Sequence, residues 1–280
     1  MAMGQGMEHI LLILAACSYC VGSVGYFIDL VRNGENIHRA AWTALLGGML
    51  FHGTAIGLRS FAAGHLAVST LSDALSFFSW LVVGTYLVMQ NRLRLRVLGS
   101  FVAPLAAAFM FASAILPSHM MPTSPLLKSV WVWIHVSTLF AANALFAVAF
   151  AAAVLYLYQE RTIKKKRRGF LDDRFPALER LDRVNHVCLL VGFPLMTVGL
   201  LAGFLYASTV WKSPWNWDPK EIFALITWLI YAVLLHERLA VGWRGRKAAW
   251  LAIFGFSAVL ITFLGVNIFL KGHHTLFSSQ

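Results

Sequence analysis

Charge is scarce in this 280-residue sequence: 12% of it is Asp, Glu, Lys or Arg, against 59% hydrophobic residues and a mean hydropathy of +0.70. Soluble domains carry about a quarter of their residues as charges, so lipid must form part of the solvent. Cysteine is scarce too. The three present are too few for a disulfide framework. Cys17 and Cys20 have the redox spacing, but they fall inside an apolar run where thiolate formation is suppressed, and they are expected to be packing residues. No glycine-rich phosphate loop, zinc-ligand spacing or Ser–His–Asp set occurs, which removes the commonest nucleotide, metal and hydrolase chemistries. No Lys or Arg precedes Arg32, so the first apolar run lacks the basic leader of an export signal and is expected to be a retained span.

What is abundant is apolar length. A span needs ~20 mostly apolar residues, because the hydrocarbon layer is ~30 Å thick and a helix rises ~1.5 Å per residue. Eight stretches qualify: Ile10–Val31, Ala40–Leu58, Leu71–Met89, Val97–Leu116, Val130–Tyr158, Val187–Thr209, Ile222–Leu239 and Ala248–Leu270. Backbone groups have no water to satisfy them inside a bilayer, so helix is the expected conformation. The fold class is an all-α polytopic membrane bundle, with residues 1–280 forming one domain and no internal repeat.

The net charge of +11 suggests nucleic acid only until its placement is read. With eight spans, all but five of the 23 basic residues fall in loops on one side; Arg59, Lys128, Lys212, Lys220 and Lys271 are the exceptions. The positive-inside rule puts that side in the cytoplasm and both termini outside it. The run Ile163–Arg168 then reads as a topological anchor near anionic lipid heads, not a nucleic-acid site.

The outward loop of about 208–221 contains Trp211-Lys-Ser-Pro-Trp215-Asn-Trp217-Asp218-Pro219-Lys220-Glu221. Tryptophan is common at lipid headgroups, so an interfacial belt is one reading. Asp218 as N-cap, Pro219 at the first helical position and Glu221 at the third also make a capping box that launches span seven. The functional reading is a flat apolar platform of indoles on which a planar macrocycle stacks, with Lys212 and Lys220 meeting its carboxylates.

This segment resembles the tryptophan-rich "WWD" signature of proteins that handle haem in cytochrome c maturation. Its continuation through Asp218-Pro-Lys-Glu221, Ile226-Thr-Trp-Leu-Ile-Tyr231 and Leu235-His236 resembles the CcsA (ResC) family. So do Trp131-x-x-x-His135-Val, Gly192-Phe-Pro-Leu and Gly265-Val-Asn. The resemblance implies transport and presentation of haem b and its covalent attachment to the Cys-x-x-Cys-His segment of apocytochrome c. It places that chemistry at the outer face of the bacterial cytoplasmic membrane, in a subunit of a cytochrome c synthase (system II). It also implies a CcsB (ResB)-type membrane partner and thioredoxin-like proteins that keep the thiols reduced.

Haem iron is held well by two imidazoles. The resemblance implies His135 and His274 as outer ligands, His274 fitting the pattern better than the adjacent His273. It implies His236, in the inner leaflet, as a ligand of an entry site completed by the partner. Trp211, Trp215, Trp217, Asp218 and Lys220 complete the expected haem-binding set. His52 is expected to be a satisfied core histidine, and His9, His38 and His186 to be ordinary interface residues. His38 and His52 stand fourteen apart, the spacing of a di-haem cytochrome b-like subunit, which is the alternative reading.

Overall fold

The computed structural model describes residues 2–93, 95–117, 128–165, 175–210, 212–213 and 215–265. Eight helices appear: α1 (Ala2–Arg32), α2 (Glu35–Ala63), α3 (Leu71–Leu93), α4 (Arg96–Ile115), α5 (Val130–Lys164), α6 (Leu178–Val210), α7 (Pro219–Leu239) and α8 (Arg246–Leu260). A π-helical turn, Ile261–Gly265, continues α8. Each of the first seven is long and apolar enough to cross a membrane, as is α8 taken with the π-helical turn (Arg246–Phe263), and no strand occurs among the described residues. The eight expected spans are therefore present. Helices α1, α2, α5 and α6 run well past them, since a helix ends where its hydrogen bonds stop, not where its sequence turns polar. Positions 266–270 of the eighth expected span lie outside the described residues.

Helix α5 is the axle of the bundle, packing against α3, α4, α6 and α8. Its alanines Ala142, Ala144, Ala147, Ala149, Ala151, Ala152 and Ala153 are buried. Small side chains let backbones approach closely, which is what holds helices together where lipid is as apolar as the side chains. Phe146 of α5 stacks on Tyr231 of α7, centroids 3.6 Å apart and planes 11° from parallel. That stack fits because glycines stand at either side. A Cβ on Gly192 would come within 2.6 Å of Phe146, and one on Gly255 within 2.8 Å of Tyr231.

Two polar latches fix which helix ends lie together. At one end Arg59 of α2 reaches Glu8 of α1 (2.9 Å) and Asp73 of α3 (2.8 Å). At the other, Arg238 of α7 reaches Asp182 of α6 (2.7 Å) and donates through Nε to Nδ1 of His186 (2.8 Å). Asp182 also accepts from the backbone N–H of Gly245, at the start of α8 (2.9 Å). His186 is thus part of an ion cluster, where an ordinary interface position was expected, and Arg238 is buried. The reason is that a guanidinium can be withdrawn from water when a carboxylate and further acceptors meet it. Among the described residues, Arg96 at the start of α4 and Arg180 near the start of α6 lie together at the end of the bundle where Arg238 meets Asp182.

Candidate functional site

The tryptophan loop and α7 are joined by local chemistry. Asp218, 3% exposed, caps α7: its Oδ1 accepts from Lys220 N–H at 2.8 Å. Glu221 Oε2 reaches back to the N–H groups of Asn216 (2.9 Å) and Asp218 (3.3 Å), completing the expected capping box. Four residues are thereby tied to one carboxylate pair. The loop between bends sharply: Lys212 and Trp217 have φ of 55° and 57°, the left-handed region. Side chains pay for that geometry in steric strain, and such strain concentrates at functional segments.

The two indoles of the loop among the described residues, Trp215 and Trp217, do not lie in one plane as a flat platform would require. Trp215 and Trp217 meet edge to face, 5.7 Å apart at 88°, and Trp217 is 75% exposed. Edge-to-face contact is the favoured arrangement of two quadrupoles, and the left-handed turn at Trp217 imposes it. Trp215 packs on Phe204 of α6 at 5.9 Å. Trp211 lies outside the described residues, as do His273 and His274.

Behind the loop is a cavity of about 390 Å³ between α5, α6, α7 and the segment before α3. Phe204, Lys220 and Glu221 line it on the loop side, and His135 on α5. Nδ1 of His135 is 2.8 Å from the carbonyl oxygen of Gly199. A carbonyl only accepts, so Nδ1 carries a hydrogen, and in the neutral ring the lone pair is then on Nε2. This is how proteins commonly set a histidine for metal binding: the second nitrogen donates to a carbonyl and fixes the tautomer. The imidazole fits because α6 is notched beneath it. A Cβ on Gly203 would stand 2.6 Å from His135 Nδ1, and one on Gly199 2.7 Å from Leu139.

Several lining residues carry signals that the sequence reading passed over. Asn143, eight residues below His135 on α5 and so ~12 Å deeper, puts an amide on the wall of an otherwise apolar span. Thr227 of α7 and Thr262 of the π-helical turn pair at 3.1 Å at the same wall. Single-turn π-helices are frequent at functional sites. The Gly199-x-x-x-Gly203 spacing and an amide within an apolar run were both readable. What they face was not.

The remaining histidines separate clearly. His52 is fully buried, with Nδ1 3.2 Å from Tyr19 Oη and Nε2 2.8 Å from Ser76 Oγ. It is the satisfied core histidine expected, and with both nitrogens engaged it does not serve the di-haem reading. His38 is buried beside Asp29 and Gln90 rather than lying at an interface. His236 is exposed near the basic end of α7, on the face that also exposes Leu229 and Val233, and takes no part in the cavity. Cys17, Cys20 and Cys188 are free.

Residues 68–274 match the family described as cytochrome C assembly protein. The cytochrome c biogenesis protein CcsA of Guillardia theta is 30% identical over 275 residues, covering 91% of each chain. That of Gloeothece citriformis is 31% identical over 320 residues, covering 96% of this chain and 94% of its own. Among solved structures, the cytochrome c haem lyase CcmF shares the fold. Its TM-score is 0.68 at 16% identity, with 98% of this chain matched to 51% of that one.

Proposed function

This chain belongs to the CcsA family of cytochrome c biogenesis proteins, and from that premise we propose that it presents haem b at the end bearing the capped tryptophan loop and supports its covalent attachment to apocytochrome c. The observation that carries the proposal is the His135 imidazole, on the cavity wall with its tautomer set by the Gly199 carbonyl. Nε2 of His135 is the nitrogen for iron, and His274 is proposed as the second ligand. Lys220, on the cavity rim, is placed to meet a propionate as a charge-assisted donor. Trp215, and Trp211 with it, back the macrocycle, while Trp217 projects where an arriving peptide would meet it. Asp218 and Glu221 hold that loop in shape.

Haem supplies two vinyl groups. Each thioether forms by adding a thiol S–H across one vinyl, sulfur to the carbon beside the ring and hydrogen to the terminal carbon, with no net oxidation. The residues named here move no proton in that account. They hold two reactants in register, which by itself removes much of a bimolecular barrier. The Cys-x-x-Cys-His histidine then replaces one protein imidazole and releases the product. We further propose that His236, exposed on a lipid-facing side of α7, takes part in an entry site completed by a CcsB-type partner, since an ionisable group at such a position is costly without one. The cytoplasmic membrane is the proposed location, with thioredoxin-like proteins keeping the substrate thiols reduced.

The test is an absorption spectrum of the chain co-purified with its partner subunit. His135→Ala is expected to abolish the Soret band contributed by the outer site and to stop cytochrome c maturation. Full maturation with that variant would overturn the assignment.

A further inference from the structure

A second cavity lies at the opposite, basic end, away from His135. It is a groove of about 640 Å³ between α2, α3 and the start of α4, with Glu35, His38, Arg39, Trp42, Gln90 and Arg96 on its walls. Arg39 and Arg96 both hydrogen-bond to Glu35, through Nε and Nη2 respectively. A guanidinium has five N–H donors, so each spends one on Glu35 and keeps the others. Glu35 thus holds both guanidiniums at the groove mouth with donors to spare, and a second carboxylate, Asp29, lies behind them.

The back wall is polar and incompletely satisfied. His38 is 8% exposed and Gln90 7%. Asp29 Oδ2 lies 3.5 Å from His38 Nδ1. Beside a carboxylate, Nδ1 is the protonated nitrogen, so Nε2 accepts from the Gln90 amide nitrogen 3.3 Å away. That orients the amide and leaves Gln90 Oε1 buried with no hydrogen-bond partner. A buried acceptor in that state is destabilising unless something donates to it.

Depth narrows the class of ligand. Glu35 and Arg39 occupy the first turns of α2, and Trp42 lies ~10 Å along the helix from Glu35. The groove therefore runs from headgroup level to the edge of the hydrocarbon, where an indole sits well. Basic pockets between membrane helices on the positive side are lipid-headgroup sites. The spare donors of two guanidiniums suit phosphodiester oxygens, and the Gln90 acceptor asks for a hydroxyl on the far side of the phosphate.

We propose that this groove binds the headgroup of an anionic phospholipid of the phosphatidylglycerol type. Arg39 and Arg96 take the phosphodiester, and Gln90 Oε1 accepts from the glycerol hydroxyl. The bound lipid ties α2, α3 and α4 together at the end away from His135.

Native mass spectrometry of the full chain in detergent tests this with dioleoyl phosphatidylglycerol, the matched phosphatidylethanolamine and phosphatidylmethanol, inorganic phosphate and zinc protoporphyrin. One phosphatidylglycerol is expected to be retained, about tenfold or more above phosphatidylethanolamine. Arg96→Gln and the more exposed Arg39→Gln should each lower that retention about tenfold. Gln90→Leu should weaken phosphatidylglycerol while leaving phosphatidylmethanol, which lacks the hydroxyl, unchanged. Equal retention of the two natural lipids, or Arg39→Gln and Arg96→Gln without effect, would overturn the proposal. So would displacement by inorganic phosphate, which assigns the groove to a free anion, or by zinc protoporphyrin, which assigns it to a dicarboxylate macrocycle.

Discussion

Nδ1 of His135 lies 2.8 Å from the Gly199 carbonyl and 2.6 Å from the point where a Cβ on Gly203 would stand. The absence of one methyl group on α6 thus decides where an imidazole on α5 can sit. Gly203→Ala is expected to turn the His135 ring away from that carbonyl without unfolding the bundle. Loss of such outer hydrogen bonds costs metal sites about 10- to 100-fold in affinity. Haem titration followed at the Soret band should show a weakening of that size, with unchanged helical content by circular dichroism. Unchanged affinity would mean that the notch is packing alone.

Lys220 tests the carboxylate partner. Lys220→Gln removes the charge at the cavity rim and is expected to weaken haem retention about tenfold, as for one lost hydrogen bond to a charged group. Lys220→Arg should recover most of it. If both variants behave like the parent, propionates are held elsewhere.

The Asp218–Glu221 box predicts a stability effect separate from ligand affinity. Asp218→Ala removes the cap and should cost ~1 kcal/mol. Because the same pair holds the residue after Trp217, acrylamide quenching of tryptophan emission should also rise. A stability loss with no change in quenching would detach the cap from the loop.

At the basic end, Arg238→Leu leaves Asp182 facing the α6–α7–α8 junction without its cation. Breaking one side of such a pair costs ~3–5 kcal/mol, so a large fall in thermal stability in detergent is expected. Adding Asp182→Leu to the same chain should restore part of it. A single variant as stable as the parent would show the pair to be well hydrated.

Orientation is open to a direct probe. In a chain with its native cysteines replaced, Trp217→Cys should react with an impermeant maleimide in intact spheroplasts, and Trp243→Cys only after lysis. The opposite pattern would invert the haem proposal.

The number of spans was legible because apolar length is a local property that no tertiary contact can disguise. The capping box was legible for the same reason: Asp218, Pro219 and Glu221 satisfy backbone groups within their own turn. The tryptophans show the limit. Their number and spacing were plain, yet the angle between two rings depends on a left-handed φ at Trp217 that neighbouring residues do not dictate. Arg238 shows it again, since a basic residue near a span end reads as interfacial until Asp182 and His186, over fifty positions away, prove to surround it.

The sequence by itself determined an eight-span helical membrane protein, its charge asymmetry and, through short motifs, its family. These follow from transfer free energies and caps, which each residue expresses alone or with its near neighbours. Only the tertiary structure decided that His135 faces a cavity with its tautomer fixed by Gly199, that His52 is closed off and that Gln90 is left with an unmet acceptor. Those facts belong to pairs of atoms on different helices, and a chain read in one dimension holds no distance between them.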